Sequence, residues 1–277
     1  MIDVFEAVNL QRQYNKLLCD GKLSKKAMCD LVIPFRDKYG LSDIEALNIA
    51  RGGPNDAVSV LETFIYDDIE FKIANKHYLW AMVNSGEKKD IVIPDEFPNG
   101  ITITSVGSRF CSGLFSKIVF PDTVKNFCVQ AFVSTEPFTG NNATHIDEVV
   151  WPSNCDYIPD SCFNYSSIGA VSNIDHVSKI ESSAFQNSSI KKLNWPISCK
   201  EIPTFCFSNS CVEEVVFTGD IEKIGAFAFG FVRTLKSLDL SHSFNIEIEA
   251  GAFDISAKGK ITFPYYMPQN YRDVIFL

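Results

Sequence analysis

No stretch of this chain approaches the roughly 18 consecutive apolar residues of a membrane-spanning helix, which excludes an integral helical membrane protein. The start, Met1-Ile2-Asp3-Val4-Phe5-Glu6, supplies neither a basic leader nor an apolar stretch with a small-residue cleavage site. The expectation is a cytoplasmic chain. Basic residues are in deficit, with 25 Lys and Arg against 34 Asp and Glu and a net charge of -9, so a surface that tracks nucleic-acid phosphates is not expected. Nine cysteines, an odd number, cannot all pair within one chain, and with no secretory leader reduced thiols are expected. Histidine is scarce: His77, His145, His176 and His242 are scattered, with no His-Glu-x-x-His pattern. There is also no Gly-rich phosphate loop and no Gly-x-Ser-x-Gly elbow, so neither cofactor nor metal is expected.

What the chain does contain is a repeat. An apolar residue followed five positions later by Phe recurs as Phe127/Phe132, Ile158/Phe163, Ile180/Phe185, Ile202/Phe207, Ile224/Phe229 and Ile248/Phe253, and Val106 with Phe110 or Cys111 begins the series imperfectly. From Ile158 the steps are 22, 22, 22 and 24 residues; only the step from 127 to 158, at 31, is long. Immediately before each Phe stands a small residue, Ala131, Cys162, Ala184, Cys206, Ala228 or Ala252, as close stacking of coils requires. Each unit then runs into a short alternating strand, among them Ile118-Val119-Phe120-Pro121, Val149-Val150-Trp151-Pro152 and Leu193-Asn194-Trp195-Pro196. Alternation sends the first and third side chains inward and the middle one to solvent. A single coil cannot bury its inner face, so the units must stack into a continuous core. The fold class expected is a mainly β repeat solenoid of about seven coils behind a small all-α N-terminal domain.

The pattern apolar-x-x-x-Ala-Phe followed by a short strand ending in Pro resembles the BspA-type leucine-rich repeat, over roughly residues 67–277. Upstream, Ile69-Glu70-Phe71-Lys72-Ile73, Tyr78 to Val83 and Ile91-Val92-Ile93-Pro94 resemble the strands that cap such arrays. The resemblance implies an elongated right-handed superhelix, a binding role and no catalytic residues, and many members of that family are exported surface proteins.

Residues 1–66 lack the repeat and are expected to be helical. Ala7, Leu10, Tyr14 and Leu17 form one apolar stripe, and Met28, Leu31, Val32 and Phe35 a second, started by Ser24 and kinked by Pro34. Ser42-Asp43-Ile44-Glu45 has the capping-box pattern of a third helix after Gly40, and a further short helix is expected after Pro54. At the other end Val274-Ile275-Phe276-Leu277 is expected to cover the open edge of the last coil.

Stacking the strands aligns two columns. The residue before each strand's first apolar position gives Asp90, Lys117, Glu148, Ala170, Lys192, Glu214, Ser237 and Lys260, mostly alternating in sign. Beside it run the outward residues Val92, Val119, Val150, Ser172, Asn194, Val216, Asp239 and Thr262, whose three valines are expected to form an exposed docking face. The insertion between Val133 and His145, with Glu136 and Phe138, is a second candidate because it breaks a regular array at the surface. Partner-binding residues are therefore expected among Val92, Val119, Val150, Ser172, Asn194, Val216, Glu136 and Phe138, and the partner is expected to be a protein. Cys162 and Cys206 occupy the small slot before Phe, and Cys155 and Cys199 recur 44 residues apart with the repeat, so all four are expected in the core. Asp147 and Glu148 near His145 face opposite ways on a strand, which opposes joint metal coordination. Asn142, Asn164 and Asn187 open Asn-x-Ser/Thr sequences that matter only in a secreted chain. The alternative function is a DNA-binding helical region regulated by partner-sensing repeats; residues 1–66 hold eight basic and nine acidic residues, a balance that opposes it. A hydrolase is not expected, because nothing in the sequence pairs a nucleophile with a base.

Overall fold

The period of the repeat becomes a stack of coils in the computed structural model, which describes residues 4–19, 22, 24–51, 61–133, 144–268 and 274–276. Each coil contributes one strand to a broad side: Lys89–Val92, Leu114–Val119, His145–Val150, Ser167–Ser172, Lys192–Trp195, Glu214–Phe217, Leu238–Asp239 and Ile261–Thr262. That makes eight rungs, one more than the apolar–Phe series counts, because Lys89–Val92 opens the stack without a Phe of its own. Neighbouring rungs pair in parallel, Ile91 opposite Ile118, Ile118 opposite Val149 and Val149 opposite Val171. A second, narrow side is built of two-residue strands such as Glu201–Ile202, Lys223–Ile224 and Glu247–Ile248, again parallel.

The interior follows the alternation. Ile118 and Phe120, Val149 and Trp151, and Leu193 and Trp195 are buried. Phe132, Phe163, Phe185, Phe207, Phe229 and Phe253 form one buried file, with successive ring centroids 4.7, 5.2, 5.4, 5.1 and 5.3 Å apart and the central rings nearly parallel. Cys162 and Cys206 fill the small slot with no exposure, as Ala184 does between them. Trp151 and Trp195 each donate an indole N–H to the carbonyl of the cysteine four residues on, Cys155 at 3.0 Å and Cys199 at 2.9 Å.

The third side of a coil is a turn with residues in the left-handed region, two of them in the coils of Phe163, Phe185, Phe207 and Phe229. Two positions before the file ring these are Gln130, Ser161, Ser183, Phe205, Phe227 and Gly251, with φ from 54 to 68°. Two positions after it they are Tyr165, Asn187, Asn209 and Phe231, with φ from 54 to 59°. For an L-residue this conformation costs about 1–2 kcal/mol, and for a bulky side chain it is a true outlier. The backbone tolerates it at most of these positions because the N–H reaches the next coil: Ser183 to the Thr204 carbonyl at 3.2 Å, Asn187 to Ser208 at 3.0 Å and Asn209 to Gly230 at 2.8 Å.

Both ends are closed. At the start β1 (Leu61–Tyr66), β2 (Ile69–Ala74) and β3 (Tyr78–Asn84) form an antiparallel cap, and β3 then pairs in parallel with Ser105–Val106 of the array. Residues 61–66, expected to be helical, are therefore strand. The reason is local: Asp67 and Asp68 adopt φ of 49 and 59°, the turn that folds a two-residue hairpin, and Phe64 packs inward against Phe97. At the far end the Phe253 N–H donates to the Ile275 carbonyl at 3.0 Å and the Phe276 ring extends the file at 6.0 Å, as expected of an edge cover.

The helices are α1 (Val4–Cys19), α2 (Lys25–Tyr39) and α3 (Asp43–Arg51). Leu10, Tyr14, Val32, Phe35, Ala46, Ile49 and Ala50 make a small core separate from that of the solenoid. The Ser24 hydroxyl caps α2 by accepting from the Ala27 N–H at 3.1 Å, the helix continues through Pro34, and Gly40 ends it at a φ of 64°. The helix expected after Pro54 lies outside the described residues. On the solenoid side, α1 lies over the narrow strands, its Arg12 guanidinium 3.9 Å from the Tyr157 ring centre. The broad and turn sides carry no α-helix among the described residues.

Candidate binding faces

On the broad side the outward column is in register. Val92 lies opposite Val119, Val119 opposite Val150, and Val150 opposite Ser172; Asn194 pairs with Val216 and Asp239 with Thr262. The expectation of three exposed valines needs correction. Val92 is 63% exposed, but Val119 and Val150 are half-buried. Side chains on adjacent strands stand about 5 Å apart and shield one another, so a valine with neighbours on both sides keeps only its outer tip in water, while Val92 on the first rung has one neighbour. Ser172 and Val216 are likewise half-buried and Asn194 is exposed. Glu136 and Phe138 lie outside the described residues.

The charged column forms as the alternation of sign requires. Lys117 meets Glu148 at 2.9 Å and Lys192 meets Glu214 at 3.0 Å. The Ser172 hydroxyl donates to Glu148 at 2.6 Å, and together with Lys117 it holds that carboxyl below the usual carboxylate range. Each exposed pair contributes at most about 1 kcal/mol, so the column fixes register more than stability.

One arrangement was not expected. His145 and Ser167 are opposite residues on adjacent rungs, and Nδ1 of His145 lies 2.7 Å from the Ser167 hydroxyl while Nε2 lies 2.9 Å from Asp147. A hydroxyl, an imidazole and a carboxylate do therefore meet, which corrects the expectation that no nucleophile is paired with a base. Asp147 is engaged by the Lys88 ammonium at 2.6 Å, which lowers its carboxyl pKa, and Ser167 sits within a strand paired to its neighbour, not on a turn that presents unpaired N–H groups to an oxyanion. The strict alternation lapses here: Ile146 and Val149 are both buried while Asp147 and Glu148 between them both reach the surface, each on its own lysine, which corrects the expectation that the two carboxylates face opposite ways. No group of three metal-ligating side chains gathers among the described residues.

Cys155, Cys162, Cys199 and Cys206 behave as core. Burial pushes the thiols of Cys162 and Cys206 well above the ordinary value, and that of Cys155 up to about 12. Native protein treated with iodoacetamide at pH 8 should be alkylated at exposed Cys211 and leave Cys155, Cys162 and Cys206 intact by peptide mass mapping. Rapid labelling of either small-slot cysteine would contradict the packing.

The basic residues of α2 divide: Lys25 and Lys26 at its start are exposed, whereas those near its end are paired. In α2, Arg36 is tied to Asp37 and Asp43 and Lys38 to Glu6, so these cations are already neutralised by near neighbours. Between α1 and the narrow strands lies a cleft of about 650 Å³ lined by Arg12, Lys16, Lys179 and Lys200 together with Asp160, Glu181 and Glu201, a mixed lining in which the carboxylates offset all but one of the cations.

The turn side holds residues that the sequence did not single out. Tyr165, Phe205 and Phe231 stand in solvent at left-handed positions that Ser161, Ser183, Asn187 and Asn209 fill in neighbouring coils. The signal available was an aromatic residue in a column otherwise small or polar, visible only once the turn column is aligned.

Residues 136–262 match the profile of the BspA type leucine rich repeat region, in six copies. This stretch is a BspA-type leucine-rich-repeat region. The regular coils extend beyond it, back to Lys89–Val92. A leucine rich cell surface protein from Faecalibacterium prausnitzii, solved as a crystal structure, is 12% identical over 79% of this chain and 98% of its own, with a TM-score of 0.22. No curated protein matches the sequence. No helix among the described residues is long and apolar enough to cross a membrane.

Proposed function

We propose that the chain is a non-catalytic protein-binding module whose leucine-rich-repeat array presents the broad side to a partner protein. The observation that carries this is the aligned valine column: Val92, Val119 and Val150 occupy consecutive outward positions in register, at the end of the array where Val92 is most exposed. Ser172 and Asn194 stand at the outward position of the next two rungs, so the apolar anchor passes into a polar margin before Val216, the usual anatomy of a protein interface. The ion-paired column beside it fixes the register of that surface.

The double substitution Val119→Lys and Val150→Lys tests it. Both side chains lie outside the core, so the expected loss of stability is within about 1 kcal/mol. Apolar anchors at an interface centre contribute about 2 kcal/mol or more each, so affinity for proteins captured from native lysate by the parent should fall more than about tenfold. A variant that melts like the parent and retains the same partner at the same strength would make this side a scaffold surface only.

A further inference from the structure

The turn side carries a row of side chains that broad-side docking does not use. Two residues after each ring of the buried file, successive coils present Tyr165, Asn187, Asn209 and Phe231. The amides form a ladder: Asn209 donates through Nδ2 to Oδ1 of Asn187 at 2.8 Å, and Asn187 to Oδ1 of Asn164 at 3.1 Å. A primary amide has two N–H donors and two oxygen lone pairs. Asn187 uses one of each within the ladder, which leaves one donor and one acceptor for the solvent side. Past Asn209 a cleft of about 450 Å³ opens between Phe205, Phe231 and Arg233. Phe231 is 53%, Tyr165 45% and Phe205 37% exposed, and Phe205 is stacked on Phe227 at 5.1 Å. Flat apolar rings are thus held in water on a backbone conformation that disfavours them, where the neighbouring coils carry Ser or Asn.

What could use such a surface follows from what it offers. The backbone N–H groups of Tyr165, Asn187 and Asn209 are committed to the next coil, so an added peptide strand finds no ladder to extend here. Among the described residues Arg233 is the one cation lining the cleft, which gives a polyanion little purchase. There remain ring faces and amides, each amide pairing a donor with an acceptor, at a spacing of one coil. A pyranose offers the complement: an apolar C–H face for a ring and hydroxyls that both donate and accept. In an extended β-1,4-linked chain, moreover, the length of one sugar is close to the spacing of 5.2 to 5.4 Å between the file rings of neighbouring coils. The geometry points to a binding site for a neutral β-linked oligosaccharide along the turn side, one sugar per coil from Tyr165 to Phe231.

Isothermal titration of the full chain with cellohexaose, xylohexaose and maltohexaose tests this, together with the double variant Phe205→Ser and Phe231→Asn. Those replacements are the residues that Ser183 and Asn209 already provide at the same backbone conformation, so the melting temperature should equal or exceed the parent's. The expected result is saturable binding of a β-linked hexaose and at least about tenfold weaker binding, about 1.4 kcal/mol, both of the helical maltohexaose and by the double variant. Tyr165→Asn, at the other end of the row, should weaken binding independently. Val119→Lys with Val150→Lys should leave it unchanged, which separates this site from the broad side. Absence of saturable binding to both β-linked hexaoses, or a folded double variant that binds them as the parent does, would overturn the assignment.

Discussion

Phe185→Ala is expected to lower the free energy of unfolding by about 3–5 kcal/mol. Phe185 is fully buried and lies between Phe163, 5.2 Å away with rings 4° from parallel, and Phe207, 5.4 Å away at 9°. Truncation removes the transfer energy of the ring and leaves a cavity flanked by two rigid rings that cannot close over it. Because a repeat array is held by contacts between neighbours only, the loss should not be spread evenly. Urea denaturation followed by Trp151 and Trp195, which sit in the coils to either side, should separate into two phases where the parent shows one. Phe185→Leu, which retains most of the volume, should recover more than half of the deficit. A fall below about 1 kcal/mol for Phe185→Ala would mean that the file does not carry the fold.

The second large effect is expected at Gly113→Ala, through strain instead of lost burial. Gly113 has a φ of 113°, a conformation that residues with a Cβ rarely adopt, and an added methyl would run into the backbone carbonyl of Asn84. Asn84 cannot retreat cheaply. It is buried, its Nδ2 donates to the carbonyls of Glu87 at 2.9 Å and Leu114 at 2.7 Å, and its Oδ1 accepts from the Gly86 N–H at 3.0 Å. This knot joins the end of β3 to the first coils, and the Gly113 carbonyl also accepts from His145 at 3.1 Å. The expected destabilisation is about 3 kcal/mol or more, a fall in melting temperature of roughly 6–12 °C for a chain of this size. Gly40→Ala is the control: its φ is 64°, but nothing lies within 4 Å of the added methyl, so its cost should be only about 1 kcal/mol. Equal losses at the two sites would show that conformation alone, and not collision with Asn84, sets the penalty.

The contrast between these sites marks what could be seen in advance. The file was legible because it needs one residue of one type per coil, so a period of 22 residues exposes it without knowledge of geometry. Inward and outward positions on the broad side were legible for the same reason, through alternation. How much of an outward side chain stays in water was not, because it depends on what the adjacent rungs carry, and Val119 and Val150 proved half-covered. Gly113 and the turn columns escaped because left-handed backbone is held here by coil-to-coil hydrogen bonds, which admit Gln130, Ser183, Phe205 and Asn209 alike. The meeting of His145 with Ser167 was hidden differently. The two are 22 residues apart, one coil, so a search for short catalytic spacings passes over them, whereas a search at the period of the array would bring them together.

The Trp–Cys corner has a consequence for how the rod can change length. Trp151 with Cys155 and Trp195 with Cys199 repeat the same indole hydrogen bond, and both cysteine thiols reach a carbonyl two residues on at 3.4 Å, Tyr157 in one case and Glu201 in the other. The coil between them is built differently, with Ser172 and Asn173 where a Trp would begin the corner and Val177 in place of the cysteine. The interchangeable block is therefore a pair of coils, 44 residues long, and not a single one. Removing or inserting such a block brings like against like at the junction, so the molecule is modular in steps of roughly 10 Å, two rung spacings, and its span can be lengthened or shortened as a ruler is cut.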